Sequence, residues 1–136
     1  MPLIPTNPEH PANAGECIFK ELSSLEFREL VGWLSGMQSQ DVSPDAKYLV
    51  IMDVRTPQEY RSGHLNGAIN VDFRSPSFRD KIARLDRNNA YLLYCRTGIR
   101  SARAAMLMMS LGFKKLYNLT KGIEQWQREG YEVILD

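Results

Sequence analysis

Apolar residues fall along the chain in two alternating rhythms. Residues 48–53 (YLVIMD) and 91–94 (YLLY) are short continuous runs, the pattern of strands buried on both faces. Between and around them, apolar residues return every three or four positions, the spacing of one helix face. Phe27, Leu30, Val31 and Leu34 form such a stripe. It predicts a helix over 25–34, with Trp33 at its edge and Ser23 and Glu26 as a capping box in front. Thr56, Pro57 and Glu59 combine a second capping box with proline at the first helical position, predicting a short helix over 57–62. Phe78, Ile82 and Leu85 mark an amphipathic helix within 77–85. Ala104, Ala105, Met108 and Leu111 mark another over 100–111, stopped by Gly112 in the C-cap place. A last helix, 122–129, carries Ile123, Trp126 and Gln127 and ends at Gly130. Shorter strands are expected at 16–20, 68–71 and 115–118. Residues 37–47, with Pro44, read as a loop, 86–90 as a turn, and 131–135 as a tail packed back on the sheet.

Strands alternating with helices imply right-handed crossovers. The predicted fold class is α/β, a three-layer α/β/α architecture with a mostly parallel sheet of about five strands. Residues 16–136 make one domain. Residues 1–15 stand apart as a proline-rich arm, with Pro2, Pro5, Pro8 and Pro11 at every third position. That spacing lines one face of a polyproline II helix, the form a proline-binding module takes up. An extended arm without such a partner is the simpler reading, with His10 solvated within it.

Composition changes this picture little. Apolar content of 43% and charged content of 24% suit an ordinary soluble domain. A net charge of +1 argues against a nucleic-acid or membrane-surface partner. No run approaches a membrane span, and no secretory signal is visible. Two cysteines make no disulfide framework and fit a reducing compartment, so a cytoplasmic location is expected. No group of Cys, His and acids has metal-ligand spacing, and no cofactor is expected.

The chemistry concentrates in residues 91–103 (YLLYCRTGIRSAR). A buried strand delivers Cys95 into a short loop, and a helical pattern opens just behind it. A cysteine at a strand end is most often a small buried hydrophobe. Here the surroundings argue for more. The first N–H groups of the following helix are unpaired and the helix dipole is positive at that end. Arg96, Arg100 and Arg103 lie within eight residues of the sulfur, and arginine stays protonated. Gly98 lets successive N–H groups turn toward one centre. Together these features favour a thiolate at the floor of an anion-binding bowl, with sulfur as the attacking atom. Arg103, one turn into the helix, reads as a surface charge. Cys17 reads as structural rather than as a resolving thiol.

Cys95-Arg96-Thr97-Gly98-Ile99-Arg100-Ser101 resembles the active-site loop C-x-x-G-x-R-S of rhodanese-like sulfurtransferases. Asp53-Val54-Arg55, Glu59-Tyr60 and Gly63-His64-Leu65 with Gly67-Ala68-Ile69-Asn70 resemble the family's upstream block. Asn118-Leu119 with Gly122-Ile123 and Trp126 resembles its third block. The resemblance covers residues 18–133. Cys95 through Arg100 spans six residues, which resembles the sulfurtransferase form of the loop. The related phosphatases and arsenate reductases carry a loop one residue longer.

The resemblance implies a thiosulfate sulfurtransferase that works through a Cys95 persulfide. The donor would be a small sulfur anion such as thiosulfate or a persulfide, and the acceptor a thiol or a protein. The loop N–H groups from Arg96 to Ser101 would solvate the persulfide, Arg96 would face the incoming anion, and Arg100 would brace the loop. Asp53 and Arg55 would support it, with Arg55 and Glu59 paired as a lock on their turn. His64, fixed in a turn, would pack rather than act as a base. The alternatives are a sulfur-carrier or partner-binding module without turnover and, against the loop length, a phosphatase or arsenate reductase.

Overall fold

The computed structural model describes residues 17–35 and 48–135, with side chains of 33–35 left aside. The proline-rich arm, His10, Glu16, the 37–47 loop and the side chains of Trp33 and Leu34 therefore lie outside the described residues. In chain order the elements are β1 (Ile18–Leu22), α1 (Ser24–Ser35), β2 (Leu49–Asp53), α2 (Pro57–Arg61), β3 (Ile69–Asn70), α3 (Phe78–Ala83), β4 (Ala90–Tyr94), α4 (Ile99–Ser110), β5 (Lys115–Leu119) and α5 (Gly122–Arg128). The pairings within the five-stranded sheet are parallel, in the order β1-β5-β4-β2-β3.

β4 is the middle strand, and all five of its residues are buried. Its side chains alternate between two cores, as the period of a strand requires. Tyr91 and Leu93 face a core with α3 and α4, built from Phe78, Ile82, Ala104, Ala105 and Met108. Leu92 and Tyr94 face a second core with Phe27 of α1 and with Ile123 and Trp126 of α5. The result is the expected three-layer arrangement.

Local chemistry sets the helix ends as the sequence suggests. Ser23 and Glu26 cap α1 reciprocally, at 2.8 and 3.1 Å. Thr56 and Glu59 do the same for α2, with Pro57 in its first turn. Gly112, at φ 95°, ends α4, and its N–H donates to Met109 O at 3.0 Å. Met108 is fully buried as expected, whereas Met106 is largely exposed.

Two expectations give way. β1 lies two residues further along than predicted, at Ile18–Leu22, because its register is set by pairing with Lys115–Leu119 rather than by its own composition. Cys17 thus precedes the strand, exposed, with Sγ 3.7 Å from Phe113 O. The tail packs back as expected: Tyr131 and Val133 lie against the second core, which Leu92 and Tyr94 of the sheet share. Ile134 bridges antiparallel to His64, and Trp126 Nε1 donates to Glu132 O at 2.9 Å. His64 is buried there and stacks on Tyr60 with ring centres 3.9 Å apart, a packing role.

The second correction concerns Arg55. It does not pair with Glu59. Its guanidinium turns back to Asp53, with Nη2 at 2.7 Å from Oδ2 and Nε at 3.0 Å from Oδ1, and Nη2 also donates to Gly63 O at 2.7 Å. Both side chains are buried. Burial works against the Arg55 charge, but the Asp53 hydrogen bonds and negative charge prevail and raise its pKa above the ordinary value. Asn70 Nδ2 ties the carbonyls of Asp53 and Arg55, so the pair fixes how the chain leaves β2 and enters α2. Asp53→Ala would leave the guanidinium buried without its partner. The expected loss in denaturant-unfolding free energy is about 3–5 kcal/mol.

Candidate functional site

Cys95 follows directly on β4 and is buried. Three donors converge on its sulfur. Gly98 N lies at 3.1 Å, Ser101 N at 3.4 Å and Ser101 Oγ at 3.3 Å. Hydrogen bonds of this kind stabilise a negative sulfur more than a neutral one. Two come from backbone at the head of α4, whose dipole has the same sign of effect. The sequence pointed to the N–H groups; the Ser101 hydroxyl is an addition.

The loop holds this shape because its carbonyls are taken from behind. Ile123 N donates to Cys95 O at 2.9 Å and Glu124 N to Arg96 O at 3.1 Å. Asn118 Nδ2 donates to Gly98 O at 3.2 Å. The peptides are trans, so anchoring these oxygens points the N–H groups of Arg96, Thr97 and Ile99 the opposite way, away from the anchors. The anchors come from β5 and the first turn of α5. Asn118 sits on β5 opposite Leu93, two residues before the cysteine.

Two glycines make this approach possible. Gly98 has φ 100°, and a Cβ there would collide with Thr120 O. Gly122 has φ 69°, and a Cβ there would collide with Arg96 O. In the sequence Gly122 stands only as part of a pattern; in the structure it allows the close contact between α5 and the loop.

Arg100 reaches across to α2. Its Nη1 and Nη2 contact Glu59 Oε1 and Oε2 at 2.8 and 2.9 Å, a bidentate ion pair. The Arg100 hydrogen bond is the main cause that lowers the Glu59 pKa to about 2, and Glu59 raises that of Arg100. Arg100 thus ties the head of α4 to α2, and a carboxylate counters its charge. Asp53 and Arg55 bear on the site through this pair, since they set the entry of α2. Tyr94 lies beside them, with Leu65 N donating to its hydroxyl at 3.0 Å. Burial and then the Asp53 charge push its phenol pKa up, so it stays neutral.

Arg96 is exposed at the loop rim, where Nε and Nη2 contact Glu124 Oε2 at 3.3 and 3.2 Å. Arg103 lies on the exposed face of α4, and Ile99 is exposed beside the loop. Of the expected cationic surround, Arg96 and Arg100 each carry a carboxylate partner. Neither partner was legible, because they lie 28 and 41 residues away in sequence. A separate groove of about 520 Å³, lined by Arg28, Val31, Leu65, Trp126 and Tyr131 among others, contains none of the loop residues.

A family model described as Rhodanese-like domain matches residues 31–129. Among curated proteins, "Thiosulfate sulfurtransferase GlpE" of Coxiella burnetii is 29% identical over 81% of this chain and 89% of its own length. The Mycobacterium tuberculosis protein named "Probable adenylyltransferase/sulfurtransferase MoeZ" is 30% identical over 79% of this chain. The chain spans 25% of the length of that protein and 59% of Bacillus subtilis YqhL, which is 36% identical over 56% of this chain. A solved rhodanese-related protein from Thermoplasma volcanium superposes with a TM-score of 0.67 at 26% identity, covering 86% of this chain and 99% of that one.

The glycine contact has a direct test. Gly122→Ala would push α5 away from the Arg96 carbonyl and loosen the loop. Gly130, at φ 86° with open space around it, is the control for backbone strain alone. Gly130→Ala should cost about 1–2 kcal/mol of stability and leave the alkylation rate of Cys95 near that of the parent. Gly122→Ala should cost more stability and change the alkylation rate several-fold.

Proposed function

Because the chain belongs to the rhodanese-like domain family, we propose that it is a sulfurtransferase that carries a sulfane sulfur on Cys95. The observation that supports this most is the convergence of Gly98 N, Ser101 N and Ser101 Oγ on one sulfur atom. An anionic sulfur is the state these donors favour, both before and after transfer.

With thiosulfate as donor, the Cys95 thiolate attacks the outer sulfur. The new S–S bond forms on Cys95, the S–S bond of the donor breaks, and sulfite leaves with its electron pair. The persulfide anion then rests among the donors of the loop. A nucleophilic acceptor attacks the terminal sulfur, takes it, and returns Cys95 as thiolate. This is covalent catalysis with a ping-pong order. Arg96 meets the incoming anion at the rim, and Arg100 keeps the loop closed through Glu59. The name of the Coxiella burnetii relative supports thiosulfate as the first donor to try.

A second reading keeps the Cys95 persulfide but gives it to a partner protein with little turnover on small molecules. The pairing of both Arg96 and Arg100 with carboxylates favours it, since it leaves the loop with less free positive charge for a dianion. A phosphatase or arsenate reductase is disfavoured by the six-residue loop.

Steady-state transfer from thiosulfate to cyanide separates these readings. The proposal expects parallel double-reciprocal lines, no activity in Cys95→Ser, and no Cys95-dependent hydrolysis of an aryl phosphate. Arg96→Ala should raise the thiosulfate KM more than it lowers kcat. Hydrolysis of the phosphate ester without any sulfur transfer would contradict the proposal.

A further inference from the structure

The rim of the loop carries a contact that sulfur transfer does not require. Glu124 is joined to Arg96 twice. Its backbone N–H donates to Arg96 O at 3.1 Å, and its carboxylate Oε2 takes the Arg96 guanidinium at 3.2 Å. Its other oxygen, Oε1, lies 3.5 Å from Nη2 of Arg128, one turn further along α5. The carboxylate is thus held between two arginines, in a helix whose approach to the loop is fixed by Gly122. The Arg96 side chain is 64% exposed and that of Glu124 is 35% exposed. A pair so open to water is weak enough for an incoming anion to displace.

We propose that Glu124 is a specificity-determining residue that competes with anionic sulfur donors for the Arg96 guanidinium. This rests on the reading of Arg96 as the group that meets the donor. A small dianion such as thiosulfate takes the Nε–Nη2 edge of Arg96 only by displacing Glu124, and it does so against the carboxylate's own charge. A persulfide on an uncharged carrier brings at most one negative charge instead of two and meets less of this competition. Glu124 therefore shifts the preference of the site from small free anions toward persulfide donors. It touches no reacting atom and acts through Arg96.

Two readouts test this, one of them independent of sulfur transfer. The first is the rate of Cys95 alkylation by iodoacetate, an anion, divided by that for neutral iodoacetamide. The second is kcat/KM for thiosulfate. Both are measured in a Cys17→Ser background, so that Cys95 is the thiol read, for the parent, Glu124→Gln, Arg96→Ala and the double variant. Glu124→Gln should raise both the alkylation ratio and kcat/KM by about two- to fivefold, the strength of an exposed ion pair. With Arg96 already replaced, Glu124→Gln should have clearly less effect on either. An unchanged or lowered ratio in Glu124→Gln overturns the proposal. So does an equal rise with and without Arg96, which would make Glu124 a general repulsive charge rather than a competitor. If no variant turns over thiosulfate, the donor assignment fails, and the alkylation ratio still decides the role of Glu124.

Discussion

The site depends on a contact between two backbones. The first turn of α5 comes close enough to the Cys95 loop for Ile123 and Glu124 to donate their N–H groups to Cys95 O and Arg96 O. Only a residue without a Cβ fits at position 122 at that distance. With these oxygens held from behind, and Gly98 O held by Asn118, the loop cannot relax by turning its peptides over. Within the loop held this way, the N–H groups of Gly98 and Ser101 meet the sulfur. The parallel sheet serves this contact, because β4 and β5 are neighbours and deliver the loop and α5 side by side.

Charge around the sulfur is organised in pairs. Arg100 is held by Glu59 and Arg96 by Glu124, one pair half-buried and bidentate, the other open at the rim. The first stiffens the loop against α2 and rests in turn on the buried Asp53–Arg55 pair. The second is easily exchanged. In the proposed reaction, fixed hydrogen-bond donors at the head of α4 would stabilise an anionic sulfur, and the arginines would serve shape and access.

Much of this was legible in the sequence because it is local. The apolar runs gave β2 and β4, the capping boxes gave the starts of α1 and α2, and the loop residues from Cys95 to Ser101 stand within one another's reach by chain connectivity alone. What was misread depends on distant partners. Arg55 and Glu59 have the spacing of helical neighbours, but Arg55 precedes the cap Thr56 and is not on the helix, so its side chain turns to Asp53 while Glu59 faces Arg100. The register of β1 is likewise a property of its pairing with β5. Glu124 carries no local signal at all, since only the fold brings it to Arg96.

The most direct measurement is the intact mass of the reduced protein after incubation with thiosulfate, then after cyanide, for the parent and Cys95→Ser. The predicted result is a gain of one sulfur atom that requires Cys95 and is removed by cyanide. A folded, reduced protein that gains no sulfur from thiosulfate or from a small-molecule persulfide would contradict sulfur transfer through Cys95.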